Sequence, residues 1–271
     1  MTELATDSRV IDPDAPQYNA TLVRREDQHE SLAYFVVRSD GEPTPFQPGQ
    51  YMTIGVMVDG RIVQRPYSVA SPPSRAGDGY EMYVRLVEGG TFTPLLWRLP
   101  VGHRMRMIGP KGKFTLEPDD DRIHLFISSG TGSAPFVAMM RQMLADGAPR
   151  RAVFLNGVSY ERDLGYRGLL EDWERSGDYP VTFIPTVSRP GDPRNAGWTG
   201  RTRRVESIVA PVCAELGLTA ANTIAYLCGN PDMILSAGAT LLDLGFPEES
   251  VKKELYWPKG KEPKGAAQGT D

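Results

Sequence analysis

Residues 64–73, QRPYSVASPP, carry chemistry where a core strand would carry aliphatic side chains. Arg65, Pro66, Tyr67 and Ser68 are consecutive. A guanidinium can neutralise a phosphate, a tyrosine ring can stack on a flat heterocycle, and a hydroxyl can bond to the edge of such a ring. These residue types predict a strand that faces a planar, negatively charged ligand. The alternative is a strand in which Tyr67 simply belongs to the core.

A glycine-rich turn, ISSGTGSAPF (127–136), follows a predicted strand and begins a helix. Gly130 and Gly132 allow a tight bend around Thr131, and the free N–H groups of a helix start attract a phosphate. Pro135 occupies the third glycine position of the dinucleotide fingerprint, so the turn alone also fits an ordinary strand-to-helix connection.

Two further strand ends belong to the same predicted sheet. YLCGNPDMI (226–234) places Cys228 there, and TVSRPGDPRNAGWTGRTRR (186–204) places Ser188 and Arg189 there, with Arg201 further along the loop. Ligands lie at the carboxyl ends of parallel strands, and the arginine fork matches phosphate oxygens. The three loops together predict a nucleotide site. A free cysteine is more often structural, and we interpret Cys213 in that way.

One more phosphate-type turn lies in the first half of the chain. VEGGTFTPLL (87–96) has two glycines and then Thr93 before an apolar run. A helix that starts at this position would again present N–H groups to an anion.

The elements that must position these residues change character near residue 120. The first half has short strands rich in Val, Tyr, Thr and Ile, separated by Gly/Pro segments such as 101–112, and this predicts an antiparallel Greek-key β-barrel. The second half alternates strand and helix, and this predicts a doubly wound parallel sheet. The predicted boundaries are an N-terminal extension (1–17), a barrel domain (18–118), a nucleotide-binding α/β domain (122–257) and a disordered tail (258–271).

Composition narrows the class of protein. The 271 residues are 40% hydrophobic and 24% charged, with a net charge of −4, which disfavours nucleic acid as a partner. No signal pattern and no membrane-length apolar run is visible, so we expect a cytoplasmic protein. Two distant cysteines and three scattered histidines predict no metal or iron–sulfur site.

R-P-Y-S-V, GTGSAP, C-G-N-P and the C-terminal E-L-Y-W occur in one order, and as a set they resemble the ferredoxin–NADP⁺ reductase family, in particular its compact bacterial branch. The resemblance covers residues 18 to 257. It implies an FAD-binding barrel followed by an NADP(H)-binding domain.

The resemblance also implies roles for individual residues. Arg65 and Thr93 would contact the FAD pyrophosphate, with Tyr67 stacked on the isoalloxazine and Ser68 near its N5. Cys228 would approach the nicotinamide, and Glu254, Tyr256 and Trp257 would line and cover the flavin. The implied NADP(H) contacts are Gly130, Thr131 and Gly132 at the pyrophosphate and Ser188, Arg189 and Arg201 at the 2′-phosphate.

Three departures from the family pattern matter. Ser159 stands where the bacterial branch often has an arginine, which weakens the choice of NADP over NAD. The chain continues 14 residues past Trp257, and no cysteine cluster for a fused iron–sulfur domain follows.

The implied activity is electron transfer between NADP(H) and ferredoxin or flavodoxin. Hydride passes between nicotinamide C4 and flavin N5, and single electrons pass to the carrier. We expect a monomer with a basic docking face, for which the candidates are Arg104, Arg106, Lys111, Lys113, Lys252, Lys253, Lys259 and Lys261. The alternatives are an NADH-dependent reductase that feeds an oxygenase, a non-catalytic flavin subunit, and an α/β binding protein without flavin.

Overall fold

The computed structural model describes residues 8–255. Its first half is one antiparallel sheet in the order β4-β3-β6-β1-β2-β5, and an isolated bridge between Val69 and Met82 joins its two edges. The sheet therefore closes on itself, as the barrel prediction requires. The elements are β1 (Ala20–His29), β2 (Leu32–Ser39), β3 (Tyr51–Val58), β4 (Arg61–Ser68), β5 (Tyr80–Arg85), α1 (Thr93–Arg98) and β6 (Arg104–Lys111).

Strand β6 corrects the interpretation of residues 101–112 as a connection. It pairs with β3 and β1 in the middle of the sheet. Met105 and Met107 are buried while Arg104 and Arg106 are partly exposed, which is the period of two expected for a half-buried strand. The flanking glycines and prolines concealed this alternation in the sequence.

The second half is a parallel sheet in the order β10-β9-β8-β7-β11-β12, which confirms the doubly wound prediction. Residues 201–208 form a short edge strand and a 3-10 turn before α4 begins. The elements are β7 (Ile123–Ser129), α2 (Ala134–Ala145), β8 (Ala152–Val158), α3 (Arg167–Ser176), β9 (Val181–Val187), β10 (Arg201–Thr202), α4 (Val209–Leu216), β11 (Thr223–Gly229), α5 (Pro231–Asp243) and β12 (Val251–Leu255).

Alternate side chains of β7 and β8 fill two separate cores. Phe126 and Phe154 pack with α2 and α3, whereas Leu125 and Leu155 pack with α4 and α5. Each of these fully buried side chains contributes about 1.5–3 kcal/mol through removal from water. Both faces of the sheet are therefore covered by helices. Among residues 8–255, no helix is both long and apolar enough to cross a membrane.

Two carboxylates join the domains. Glu81 of β5 accepts hydrogen bonds from Arg141 of α2 (2.8 Å) and from the Tyr166 hydroxyl (3.2 Å). Asp163, which is 4% exposed, contacts His29 (3.0 Å) and Arg85 (3.1 Å) of the barrel. Because buried charges need partners, these contacts hold the two domains in one arrangement.

Candidate functional site: a cleft between barrel and parallel sheet

A cleft of about 690 Å³ lies between the two domains. Its barrel wall is formed by β4 and β5, and its other wall is formed by the loops that follow β7, β8, β9 and β11. The sequence-predicted residues that line it are Pro66, Tyr67, Ser68, Gly130, Thr131, Gly132, Ser188, Arg189 and Cys228. Residues distant in sequence therefore converge on one cavity, at the edge of the sheet where α/β proteins bind ligands.

The wall from the barrel begins with β4. Tyr67 is half-buried, and its ring centroid lies 6.1 Å from that of Phe92, tilted by 40°. Burial raises the pKa of the Tyr67 hydroxyl above its ordinary value, and the nearby Arg65 partly offsets this. Ser68 ends the strand opposite Tyr51 of β3. A neutral phenol ring beside a hydroxyl fits the flat, polar face of a flavin.

Arg65 lies next to this wall and is held by neutral oxygens. Its Nη1 donates to the Gln64 carbonyl (2.7 Å) and its Nη2 donates to the Thr91 hydroxyl (2.6 Å). The guanidinium thus reaches the Gly-Gly turn that was predicted to hold a phosphate. Arginine, phenol and hydroxyl in this order on β4 are a donor set that fits FAD.

Thr93 has a different neighbourhood from the one predicted. Its hydroxyl accepts from the Val87 N–H (2.9 Å) and donates to the Val87 carbonyl (3.4 Å), and the residue is buried. This hydroxyl closes the turn around Gly89 and Gly90. Thr91 is the hydroxyl that contacts Arg65, and sequence reasoning missed it. The signal was its position directly after the glycine pair.

The glycine-rich turn on the opposite wall is built for close approach. Gly130 has φ +53°, which favours glycine. A Cβ at residue 132 would lie 2.6 Å from the Cys228 carbonyl carbon, so only glycine fits there. The Ser129 hydroxyl accepts from the Asn230 N–H (2.8 Å), which ties this turn to the loop after β11. The two turns thus form one rigid edge.

Cys228 lies at the end of β11, opposite Glu254 of β12. Both residues are buried. Burial, and secondarily the Glu254 carboxylate, raises the pKa of the Cys228 thiol well above its ordinary value. The thiol is therefore protonated at neutral pH and is suited to packing against a ligand rather than to attacking one. Glu254 does not line the cleft, but its carboxylate lies near Gly112, at the end of the barrel.

Arg201 is not brought to the cleft. Its guanidinium contacts Glu215 of α4 (2.5 Å), and its carbonyl accepts from the Trp198 indole (2.8 Å). Arg204, which is three residues further along, lines the cleft instead. The edge strand β10 causes this difference, because it turns the residues after Arg201 back towards β9.

A tyrosine between two arginines occupies the outer end of the cleft. The Arg189 and Arg194 guanidinium carbons lie 5.4 Å and 3.6 Å from the Tyr160 ring centroid. Both groups also donate to the Tyr160 hydroxyl, at 2.5 Å and 2.6 Å. Asp192 contacts Arg194 (2.8 Å), and this hydrogen bonding lowers the Asp192 pKa to about 2. Sequence reasoning missed Tyr160 and Arg194. A signal for Tyr160 was its position directly after Ser159, where the sequence departs from the family pattern.

Tyr256 and Trp257 lie outside the described residues. Within residues 8–255, no group of three or more His, Cys, Asp or Glu side chains is arranged to hold a metal ion.

The fold and the cleft together define a two-domain protein in which a heterocycle held by the barrel would lie close to a dinucleotide held by the parallel sheet. Two domain families match the chain accordingly. Residues 19–116 match the oxidoreductase FAD-binding domain, and residues 126–238 match the oxidoreductase NAD-binding domain.

Individual proteins show the same relationship. The chain is 32% identical to ferredoxin–NADP reductase B of Sorangium cellulosum, over 81% of this chain and 88% of that protein. It is 31% identical to the phenol hydroxylase P5 protein of Acinetobacter pittii, over 88% of this chain but only 65% of that one.

Solved structures extend the comparison. The Amycolatopsis cytochrome P450 reductase GcoB superimposes with a TM-score of 0.74 at 26% identity, over 88% of this chain and 68% of that one. A ferredoxin NADP⁺ reductase from Neisseria gonorrhoeae with bound FAD and NADP shares the fold, with a TM-score of 0.72 at 21% identity, over 85% of this chain and 93% of that one.

The chain belongs to the ferredoxin–NADP reductase family and is a flavoprotein oxidoreductase. The sequence predictions of the family, of the two-domain fold, and of FAD and a pyridine nucleotide as cofactors are confirmed.

Proposed function

We propose that this protein transfers electrons between NADP(H) and a small acidic one-electron carrier of the ferredoxin or flavodoxin type. Bound FAD would supply the chemistry, by exchanging two electrons with the nicotinamide and single electrons with the carrier. The protein's own contribution is placement. Tyr67 and Ser68 line the same cleft as the glycine-rich turn and Cys228, and this supports the proposal of two adjacent cofactor sites.

The observation that carries the choice of NADP is the pair of guanidinium groups on Tyr160. Arg189 and Arg194 converge on one oxygen at the outer end of the cleft. A phosphate monoester presents several oxygens to such a pair and would replace the phenol oxygen as their acceptor. We therefore assign 2′-phosphate recognition to Arg189 and Arg194, with Arg194 taking the role that the resemblance implied for Arg201.

The test is an anaerobic titration of the FAD-loaded protein with NADPH and, separately, with NADH, followed by bleaching of the flavin absorbance. Loss of a charge-assisted hydrogen bond costs about 1.5–3 kcal/mol, so Arg194→Gln should weaken the binding of NADPH by about tenfold to a hundredfold. The affinity for NADH should change by less than about threefold.

Arg201→Gln is the matched control, because it removes a nearby arginine that contacts Glu215 and not Tyr160. An equal loss of affinity for NADPH and NADH in Arg194→Gln would refute the assignment. If Arg201→Gln lost affinity for NADPH and Arg194→Gln did not, the role would belong to Arg201.

A specific observation favours a second candidate, an NADH-dependent reductase that serves an oxygenase. Asp192 holds Arg194 with a negative charge that a 2′-phosphate would have to approach. The phenol hydroxylase P5 protein, which is named after an oxygenase, is among the relatives. This candidate would be established if the wild-type flavin bleached at an equal or lower concentration of NADH than of NADPH.

The carrier would dock on a smaller basic face than the sequence indicated. Arg104 is paired with Asp40 and Lys252 with Glu117, while Lys259 and Lys261 lie outside the described residues. Lys111 and Lys113 are exposed beside Gly112, close to Glu254. We assign docking to these two lysines.

The docking assignment predicts that carrier reduction weakens as salt rises, because exposed charge attraction is screened. The variant Lys111→Gln/Lys113→Gln should reduce this salt dependence without changing bleaching by NADPH. A salt-independent rate in the wild type would exclude the docking assignment. The monomeric state and cytoplasmic location that the sequence indicates remain predictions.

A further inference from the structure

Residues 9–12, which precede the barrel, are attached to it by backbone pairing. Ile11 forms an antiparallel bridge with Val58 at the end of β3. The Asp12 N–H donates to the Met57 carbonyl (3.0 Å), and the Asp59 N–H donates to the Val10 carbonyl (3.2 Å). This segment is therefore an additional short strand with a defined register. Main-chain bonds set its register, and the Ile11 side chain packs against the barrel core.

That register brings Arg9 to the loop that holds Arg65. Arg9 Nη1 donates to the Thr91 carbonyl (2.9 Å), while Arg65 Nη2 donates to the Thr91 hydroxyl (2.6 Å). Arg98 of α1 donates to the Arg9 carbonyl (3.0 Å) and fixes the backbone at that point. Two guanidinium groups, one from the segment before the barrel and one from β4, thus contact the same exposed residue.

A pair of guanidinium groups anchored on one residue matches the chemistry of a diphosphate. Each group offers several N–H donors in a planar fork, and anionic oxygens bind such donors more strongly than the neutral carbonyl and hydroxyl of Thr91. Arg65 is already placed beside the β4 residues that fit a flavin. Arg9 adds a second cation that contacts the same residue, and the two groups together would hold the two phosphates of FAD.

We propose that Arg9 binds the diphosphate of FAD together with Arg65, so that the segment before the barrel is part of the flavin site. This inference rests on the assignment of FAD to the barrel. It gives the N-terminal extension, to which the sequence analysis assigned no role, a function in selecting FAD over flavins that lack the diphosphate.

The experiment measures flavin binding to the full-length apoprotein by quenching of flavin fluorescence, with FAD and riboflavin as separate probes at low and high salt. Arg9→Gln should weaken the binding of FAD by about tenfold to a hundredfold and the binding of riboflavin by less than about threefold. The loss should shrink at high salt, because screening already weakens the wild-type contact.

Three variants make the result specific. Arg61→Gln removes an exposed arginine from β4, the strand that also carries Arg65. This variant should bind FAD as the wild type does. Arg65→Gln should weaken FAD, and Arg9→Lys should fall between the wild type and Arg9→Gln because it keeps the charge but loses the fork. Urea unfolding of each apoprotein shows whether the variant is folded. If Arg9→Gln does not fold, the comparison of Arg9→Lys with the wild type still tests the inference.

The inference is overturned if Arg9→Gln binds FAD within about twofold of the wild type while Arg65→Gln weakens it. It is also overturned if Arg9→Gln loses FAD and riboflavin equally, because that result indicates a general structural effect. A wild type that binds no flavin would overturn the flavin assignment itself, so the two failures are distinguishable.

Discussion

Acid stability of the nucleotide-binding domain should depend on one buried histidine. His124 of β7 is fully buried, its ring lies against Phe126 and Tyr226, and neither ring nitrogen has a hydrogen-bond partner among residues 8–255. Burial is the main cause that lowers its pKa to about 4, with Arg150 and Arg122 lowering it further and Asp120 opposing them.

The sign of the effect follows from this depression. The folded protein holds His124 neutral, whereas the unfolded chain binds a proton at an ordinary histidine pKa of about 6.5. Stability is therefore complete above that value and is lost as the pH falls towards the folded pKa of about 4. Between about pH 7 and about pH 5, this one group should remove about 2 kcal/mol from the free energy of unfolding.

The perturbation is His124→Phe, which fills a similar volume and removes the titrating ring. At about pH 7 the variant should be more stable than the wild type by about 1–3 kcal/mol, because a buried unsatisfied donor is lost. At about pH 5 the advantage should grow by about 2 kcal/mol. The assay is urea unfolding of the FAD-loaded protein at both pH values, followed by tryptophan fluorescence.

Tyr226→Phe is the control, since it changes the neighbouring ring without changing the titrating group. It should shift stability by the same amount at both pH values. An advantage of His124→Phe that changes by less than about 0.5 kcal/mol between the two pH values would refute the reasoning.

Three further outcomes are expected. Gly132→Ala should destabilise the protein by about 1–3 kcal/mol and weaken both pyridine nucleotides, because its Cβ would lie 2.6 Å from the Cys228 carbonyl carbon. Gly168→Ala in α3, with open space around the new atom, should instead stabilise by about 0.5–1 kcal/mol in the same thermal or urea measurement. Cys213 and Cys228 are both buried, and burial raises the pKa of each thiol, so a thiol reagent at mildly alkaline pH should react with neither until denaturant is added. Rapid labelling of Cys228 in the native protein would show that the cleft floor is more open than the structure indicates.

The fold and most of the cleft were predictable from local sequence. Alternating strand and helix in the second half determines a parallel sheet, and the carboxyl ends of its strands share one edge. Gly130, Gly132, Ser188 and Arg189 follow those strand ends and Cys228 lies at the end of β11, so the sequence predicted that they lie together. Strand β6 was the main local failure, because its alternation lies between turn residues.

Tertiary structure alone decided which arginines share a ligand. Arg201 and Arg194 lie seven residues apart in one loop, and only the pairing of β10 with β9 sends the first to Glu215 and leaves the second on Tyr160. Arg9 likewise reaches Thr91 through backbone pairing with the end of β3. Residue type determines what a side chain can bind, but long guanidinium side chains choose among several partners, and that choice depends on backbone contacts between distant segments.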